Sequence, residues 1–327
     1  MPKVVLLGSD EIALPAFRAV RSLPGVEVAA VYSQPDRPSG RGQEIRPNAV
    51  AAWARSEGLN LLQPERLGPA EAEHLKGLRA DLGVVMAYGQ LLRQDFLDAT
   101  ARGFVNFHGS LLPALRGATP VEAALAHGLA ETGVTLQQVV LRLDAGPVHA
   151  RATLKVAPAE GRASLRARIG ALAGGMAASS ISAVLAGTSR PVPQDESAVT
   201  HTRRLTRADS ALDFASAARE LDARVRALEG WPGSSFEHRG ETVKVGAAES
   251  ATGAGEPGRV LEAGPGGVRV ACGEGALLLT RLQRAGGRML PAGEFLQGHA
   301  IGQGELLESR PMPALVSKSP FPRPGRA

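Results

Sequence analysis

The sequence predicts an α/β protein with a Rossmann-like, mostly parallel sheet, followed by a small antiparallel β-barrel of OB-like type. Two observations lead to this fold class. The first half alternates short apolar runs, typical of buried parallel strands, with segments whose apolar residues have helical spacing. The last third contains short β-type runs separated by glycine-rich turns, which are typical of small barrels.

Along the first half, strands and helices are predicted to alternate. The predicted strands cover residues 4–7, 26–31, 59–62, 82–86 and 104–108, and the helices between them cover 12–23, 49–57, 70–78 and 94–101. A helix at 121–127, strands at 134–141 and 148–156, and a long helix at 164–185 follow. Such a doubly wound sheet forms its sites outside the carboxyl ends of the strands.

Composition changes after this long helix, where residues 187–195 are rich in Gly, Pro and Ser and resemble a linker. An amphipathic helix at 215–228 precedes predicted barrel strands at 243–245, 259–261, 268–271 and 276–282. We therefore predict a first domain over 1–188, a linker over 189–206, the barrel domain over 207–310 and a flexible tail over 311–327.

Charge and cysteine content restrict the classes of function. Lys and Arg exceed Asp and Glu by 37 to 32, which favours a polyanionic partner without establishing one. Cys272 is the only cysteine, which excludes an internal disulfide and fits a reducing compartment. The chain shows no charged-then-apolar leader and no apolar run judged long enough to span a membrane, so we expect a cytoplasmic protein without membrane association.

Several cofactor motifs are missing from the sequence. It contains no P-loop, no H-E-x-x-H and no paired C-x-x-C, so no metal is expected. Gly8 follows the first strand without a G-x-G-x-x-G pattern, which argues against a dinucleotide site there.

The most informative stretch is the strand 104–108 and the turn after it. Asn106 and His108 are two residues apart, so they share one face of the strand. An amide beside an imidazole at a strand end can stabilise developing negative charge, and Asp144 lies in a later Gly-Pro turn. From these residues alone a structural histidine and a turn-capping aspartate remain open alternatives.

The wider pattern resembles the folate-dependent formyltransferases. It comprises residues 106–117 (N-x-H-G-S-L-L-P-x-x-R-G), 131–135 (E-T-G-V-T) and 143–146 (L-D-A-G). The resemblance implies transfer of a formyl group from 10-formyltetrahydrofolate, as co-substrate, to an amine. Asn106 and His108 would then donate to the oxyanion of a tetrahedral intermediate, and Asp144 would orient His108 and accept the amine proton.

A second set of matches is similar to the members of this family that formylate methionyl-tRNA. It comprises residues 34–42 (Q-P-D-R-P-x-G-R-G), 87–89 (A-Y-G), 199–205 (V-T-x-x-x-x-L) and 231–232 (W-P). These matches imply that the acceptor is the α-amine of methionyl-initiator tRNA. The chain departs from the usual pattern at Leu115, where relatives often have Trp, and after Asp144, where Ala-Gly-Pro replaces Thr-Gly-Asp.

The resemblance also implies two binding surfaces. The folate surface would comprise Ser110, Leu111, Leu112, Pro113, Met86, Tyr88, Gly89, Leu91 and Val139. The tRNA surface would comprise Arg37, Arg41, Arg46, Arg281 and Arg284, with Arg41 the best single candidate. No obligatory protein partner is expected, and the chain is predicted to be a monomer.

Two other functions compete with this hypothesis. One is formyl transfer to a sugar-nucleotide amine or to glycinamide ribonucleotide, which would use the same three residues. The other is a folate- or RNA-binding protein without activity. The 34–42 loop and the barrel argue against the first, and the intact trio argues against the second.

Overall fold

The computed structural model describes residues 1–39 and 44–322. In this part of the chain the strands are β1 (Lys3–Leu7), β2 (Glu27–Tyr32), β3 (Arg37–Ser39), β4 (Glu44–Arg46), β5 (Leu61–Leu62), β6 (Leu82–Val85), β7 (Phe104–His108), β8 (Arg116–Gly117), β9 (Glu131–Gln138), β10 (Val148–Lys155), β11 (His201–Thr202), β12 (Ser234–His238), β13 (Glu241–Ala251), β14 (Val260–Gly264), β15 (Gly267–Ala271), β16 (Ala276–Arg284), β17 (Leu290–Pro291) and β18 (Val316–Ser317). The α-helices are α1 (Leu14–Arg21), α2 (Ala49–Ser56), α3 (Pro69–Leu78), α4 (Gln94–Leu97), α5 (Pro120–Ala126), α6 (Arg162–Leu185), α7 (Ala218–Ala227) and α8 (Ala292–Gly298).

The chain separates into two compact units that are not consecutive in sequence. The first unit consists of residues 1–120, 131–155 and 166–201. The second consists of residues 121–130 and 156–165 and of the chain from residue 202 on.

A seven-stranded sheet in the order β10-β9-β7-β6-β1-β2-β5 forms the centre of the first unit. The strands from β5 to β7 in this order are parallel, and β9 and β10 join them antiparallel. After β1 the chain adds β2 and β5 on one side of β1, and it then crosses over to add β6 and β7 on the other side. The carboxyl ends of β1 and β6 therefore flank a topological switch point, where open α/β sheets bind ligands. The predicted mostly parallel sheet is confirmed.

Buried aromatic rings hold one face of this sheet. The Phe96 ring centroid lies 5.6 Å from that of Tyr32 and 5.5 Å from that of Phe104. All three side chains belong to one buried cluster, together with residues of β1. Burial of each such side chain contributes about 1.5–3 kcal/mol, so the strands that lead to the switch point are firmly anchored.

The long helix α6 is, by length and composition alone, apolar enough to cross a membrane, which corrects the expectation that no run reaches that length. Its buried side chains recur every four residues, as in a helix packed against a protein core. Gly170 and Gly174 lie against Ile12 and Pro15, where a Cβ on either glycine would come within 2.9 Å of a neighbouring atom. These small residues let the helix approach the first helical segment of the chain closely.

The second unit contains an antiparallel sheet in the order β12-β13-β16-β15-β14, with β17 paired to β16. Its buried core includes side chains from α7 and α8 as well as from the sheet. The antiparallel C-terminal sheet was predicted correctly, whereas closure into an OB-like barrel stays a prediction. Strand β12 and helix α8 were missed, because Ser234–His238 and Ala292–Gly298 lack a clear apolar period.

Two predicted boundaries are changed by the contacts of the segments concerned. Residues 189–201 of the predicted linker belong to the first unit, where they hydrogen-bond to the turn after β7. The described part of the predicted tail is also packed. Leu315 is buried, and the carbonyl groups of Pro313 and Ala314 accept hydrogen bonds from Arg224 and Arg203.

Asp209 is the most buried carboxylate of the second unit, with no exposed surface. Arg203 donates to both of its oxygens, at 2.6 and 2.9 Å, and the Thr206 backbone N–H donates at 2.6 Å. Burial alone would raise the pKa of Asp209, but the hydrogen bonds and the charge of Arg203 outweigh it and hold the pKa below its ordinary value. Asp209 therefore has to be ionised for this part of the unit to be stable.

We expect Asp209→Asn to lower the free energy of unfolding at neutral pH by about 3–5 kcal/mol, because it leaves the Arg203 charge without its partner. The wild type should lose this contribution as pH falls below about 4, since a carboxyl whose pKa is lowered on folding stabilises only above its unfolded pKa. Urea unfolding of both proteins across this range measures the difference. Asp213→Asn, at a more accessible capping aspartate, is the control, and equal losses in the two variants would contradict the assignment.

Candidate active site

The site is built on β7, where Asn106 and His108 occupy alternate positions near the carboxyl end. Asn106 lies opposite Gln137 of β9 in the ladder, so their side chains share one face of the sheet. The Asn106 side chain is partly exposed and forms no hydrogen bond with any described residue. Its amide is therefore available to donate to a ligand.

His108 is buried and has a defined ring orientation. Its Nε2 atom lies 2.9 Å from the carbonyl oxygen of Leu115, which can only accept, so Nε2 carries a proton. Nδ1 is the atom that faces Asp144, and it lies 3.7 Å from Oδ2 of that residue. Only Nδ1 is thus left to exchange a proton with a ligand.

Asp144 lies in the turn between β9 and β10, in a left-handed backbone conformation with a φ of 50°. Its Oδ1 accepts a hydrogen bond from Gln137 Nε2 at 2.8 Å, and its Oδ2 accepts one from the Gly117 backbone N–H at 2.9 Å. Both oxygens accept, as those of an ionised carboxylate do. A left-handed φ in a residue other than glycine is strained, and such strain clusters at functional sites.

The turn after β7 is fixed by buried hydrogen bonds. The Thr135 hydroxyl donates to the Ser110 carbonyl at 2.7 Å and accepts from the Leu112 N–H at 3.0 Å. The Thr200 hydroxyl accepts from the Leu115 N–H at 2.8 Å. Leu115 itself has a φ of 61°, and its carbonyl is the acceptor for His108. The position of His108 therefore depends on residues of distant segments.

The structure brings the three predicted catalytic residues together. Asn106 and Asp144 both lie next to Gln137, and Asp144 lies within ion-pair distance of His108. The sequence analysis missed Gln137, Thr135 and Thr200. The family-like stretches 131–135 and 199–205 contained two of them, but no local pattern showed that their side chains would hold the turn.

The predicted folate residues fall into two groups. Residues of the first group have buried side chains, so they can offer a ligand little beyond their backbone atoms: Ser110, Leu112, Met86 and Tyr88. Those of the second group are partly or fully exposed: Leu111, Pro113, Gly89, Leu91 and Val139. Exposed apolar side chains at Leu141 and Leu143 add to the second group and were not among the individually predicted residues.

The Tyr88 side chain was expected in the folate pocket, but it packs in the same buried cluster as Phe96. Burial, with smaller effects of Tyr32 and Glu71, raises the pKa of Tyr88 well above its ordinary value. The backbone at Ala87 and Gly89 is left-handed, with φ values of 51° and 89°. These two reversals turn the side chain between them toward the core.

Three of the predicted tRNA-binding arginines are already paired with glutamates. Arg37 pairs with Glu65, Arg46 with Glu44 and Arg284 with Glu241. The Arg281 side chain is exposed and forms no ion pair or hydrogen bond with any residue that the structure describes. Arg41, in the connection between β3 and β4, lies outside the described residues.

Within the described ranges, no group of three or more His, Cys, Asp or Glu side chains is placed to hold a metal ion. The chemistry of the site, as these residues show it, rests on one free amide, one imidazole nitrogen and one carboxylate.

Comparison with known proteins gives matches over both units. The sequence matches the family model described as "Formyl transferase" over residues 3–178 and that described as "Formyl transferase, C-terminal domain" over residues 204–300. It is 41% identical over 304 residues to the methionyl-tRNA formyltransferase of Myxococcus xanthus, covering 93% of this chain and 97% of the relative. Identity to the enzyme of the same name from Halorhodospira halophila is also 41%, over 93% and 98% of the two chains.

Solved structures share the fold at lower sequence identity. An N-formyltransferase from Helicobacter canadensis, in complex with folinic acid and dTDP-3-aminofucose, has a TM-score of 0.66 and 13% identity, over 85% of this chain and 99% of that chain. HypX from Aquifex aeolicus, in complex with tetrahydrofolic acid, has a TM-score of 0.58 and 17% identity, over 94% of this chain and 50% of that chain.

We expect Thr135→Val to lower the free energy of unfolding by about 1–3 kcal/mol, because it removes the partner of a buried N–H and of a buried carbonyl. Thr153→Val, at an exposed position of β10, is the matched control and should change stability by less than about 0.5 kcal/mol. Urea unfolding measures both. Losses of the same size would show that the Thr135 hydroxyl does not hold the turn.

Proposed function

The chain belongs to the formyl transferase family, and from this we infer that it transfers the formyl group of 10-formyltetrahydrofolate to the α-amine of methionyl-initiator tRNA. The product, N-formylmethionyl-tRNA, serves translation initiation. The observation that carries this conclusion is the high identity to methionyl-tRNA formyltransferases across both units. This similarity covers 93% of the chain and so includes both the candidate active site and the C-terminal sheet.

We propose that Asn106 and His108 stabilise the oxyanion of this reaction. Attack of the neutral amine on the formyl carbon gives a tetrahedral centre whose oxygen carries negative charge, and stabilising such an oxygen is usually the largest catalytic effect. The Asn106 amide has a donor without a protein partner among the described residues. His108 can add a second donor only through Nδ1, since Nε2 is bound to Leu115.

The proton of the attacking amine has to reach N10 of the folate before the carbon–nitrogen bond to N10 breaks. We propose Asp144 as the group that accepts it, directly or through a water molecule, and then returns it to N10. Oδ2 of Asp144 also lies 3.7 Å from Nδ1 of His108 and so helps to orient the imidazole ring. The two hydrogen bonds to its oxygens keep the carboxylate in place during both steps.

For the folate we propose a surface made by the turns that follow β6, β7 and β9. Leu91, Leu141 and Leu143 are more than half exposed and give this surface apolar side chains. Gly89 and the buried Met86 and Tyr88 contribute backbone groups, which suit the hydrogen-bonding edge of a pterin.

For the tRNA we propose contacts by the described arginines Arg37, Arg46, Arg281 and Arg284 and by Arg41. Exposed pairs such as Arg37 with Glu65 contribute only about 0–1 kcal/mol, so a phosphate can displace the glutamate. We further propose that the protein is a cytoplasmic monomer without membrane association.

One assay separates the candidate functions. The protein is incubated with 10-formyltetrahydrofolate and with methionyl-initiator tRNA, glycinamide ribonucleotide, a sugar-nucleotide amine or no acceptor. We expect formyl transfer to the methionyl-tRNA. Transfer only to one of the small amines would overturn the proposed acceptor, and no transfer to any acceptor would favour a binding protein without activity.

Asn106→Ala and His108→Ala should each lower kcat by about 10²–10³-fold, because each removes one donor to the oxyanion. Steady-state kinetics with methionyl-tRNA measure the loss, and circular dichroism verifies folding. Asn60→Ala, at an exposed asparagine whose side chain donates to the Ala29 carbonyl, is the control and should retain full turnover. Near-normal turnover of both site variants would refute the site assignment.

Arg281→Ala should raise KM for the tRNA several-fold and reduce the slope of log affinity against log salt by about one. The cause is the loss of one phosphate contact with its released counterion. Arg219→Ala, which removes an exposed arginine paired with Glu274, is the control. An Arg281 variant with an unchanged KM and salt slope would exclude this residue from the tRNA surface.

A further inference from the structure

The turn that carries Asp144 is held by the side chain of Gln194. Gln194 lies in the segment predicted as a linker and is 9% exposed. Its Nε2 donates to the backbone carbonyls of Asp144 and Gly146, at 2.9 and 2.8 Å. These two carbonyls belong to the residues before and after Ala145, so one amide group bridges the turn.

The orientation of the Gln194 amide is settled by its partners. Arg116, which is 2% exposed, donates from Nε and Nη2 to Gln194 Oε1, at 3.0 and 2.8 Å. A guanidinium can only donate and a carbonyl can only accept, so the amide oxygen faces Arg116 and the nitrogen faces the turn. The alternative orientation would break all four hydrogen bonds.

Hydrogen bonds that donate in the same direction connect Arg116 to the carboxylate of Asp144. Arg116 donates to Gln194, and Gln194 Nε2 also lies 3.4 Å from Gln137 Oε1. Gln137 in turn donates to Asp144 Oδ1 at 2.8 Å. A buried chain of hydrogen bonds thus leads from a permanent cation to the group proposed to move the proton, and such chains polarise one another.

The turn is packed closely against its neighbours. A Cβ on Gly146 would lie 1.7 Å from the Gln138 carbonyl oxygen, so the backbone passes directly against the end of β9. Asp144 is in a strained left-handed conformation, which persists only if surrounding contacts impose it. Gln194 supplies two of these contacts.

We propose that Gln194 is a positioning residue for the reaction: it holds the Asp144 turn so that the carboxylate stays in register with His108. This inference rests on the proposed function, since it concerns the proton transfer assigned to Asp144. Gln194 is nearly buried and its amide bonds to protein groups, so its loss should slow the chemical step and leave binding intact.

The variants Gln194→Ala and Gln194→Glu test the proposal. Both lose the N–H donors to the turn, whereas Gln194→Glu keeps an acceptor for Arg116. We expect kcat to fall about 10- to 100-fold in both, as for small displacements of a catalytic group, with KM for folate and tRNA within about two-fold. Ser197→Ala, which removes a hydroxyl bound only to Asp195 in the same segment, should behave as wild type.

A double-variant cycle distinguishes positioning from a general structural role. In an Asp144→Asn background, measured by single-turnover transfer over long incubations, Gln194→Ala should cost less than about two-fold, because its effect acts through Asp144. An undiminished loss in that background, or wild-type kcat in the single variants, would overturn the proposal. Absence of formyl transfer by the wild type would instead refute the proposed function, so the two failures are distinguishable.

Discussion

The hydrogen bonds that hold the buried turn after β7 are the interaction on which the rest of the site depends. A polar group left without a partner in this environment costs about 1–3 kcal/mol, so each backbone group of the turn needs a defined acceptor or donor. Thr135 and Thr200 supply them from the neighbouring strand and from the segment after residue 188. Once Leu115 is fixed in this way, its carbonyl fixes the His108 ring, and only Nδ1 is left for chemistry. The proton on Nε2 of His108, the direction of its ring and its position relative to Asp144 all follow from the hydrogen bonds that the backbone of this turn requires.

Much of this arrangement could be predicted from the sequence, because it follows from local periodicity. The apolar runs at β1, β6 and β7 predicted the sheet, and the alternation along β7 placed Asn106 and His108 on one face. Tyr88 could not be placed in the same way. The left-handed residues on both sides of it interrupt the period of two, and the side chain turns toward the core. The roles of Thr200 and Gln194 were also out of reach, since their partners lie tens of residues away and no local pattern connects them.

Charge shows the same contrast between composition and geometry. The formal net charge of +5 favours a polyanionic partner, yet most of the arginines expected to contact it are matched with glutamates. Such exposed pairs are weak and screened by salt, so they cost little to open when a phosphate arrives. They also lower the positive potential close to these arginines in the free protein. A count of basic residues therefore overstates the attraction before contact and says little about the strength of the contact itself.

The division of the chain into two interleaved units affects how the protein can be dissected. Residues 121–130 and 156–165 belong to the second unit although they precede most of it in sequence. Within that unit Arg162 joins Glu122 to the carbonyl of Trp231, and Arg226 donates to the carbonyl of Glu160. A fragment that starts at residue 202 would lack these partners, and a fragment that ends at 201 would carry them without the rest of their unit. Genetic truncation at the boundary between the family domains therefore yields two incomplete pieces, and the chain has to be treated as one folding and purification unit.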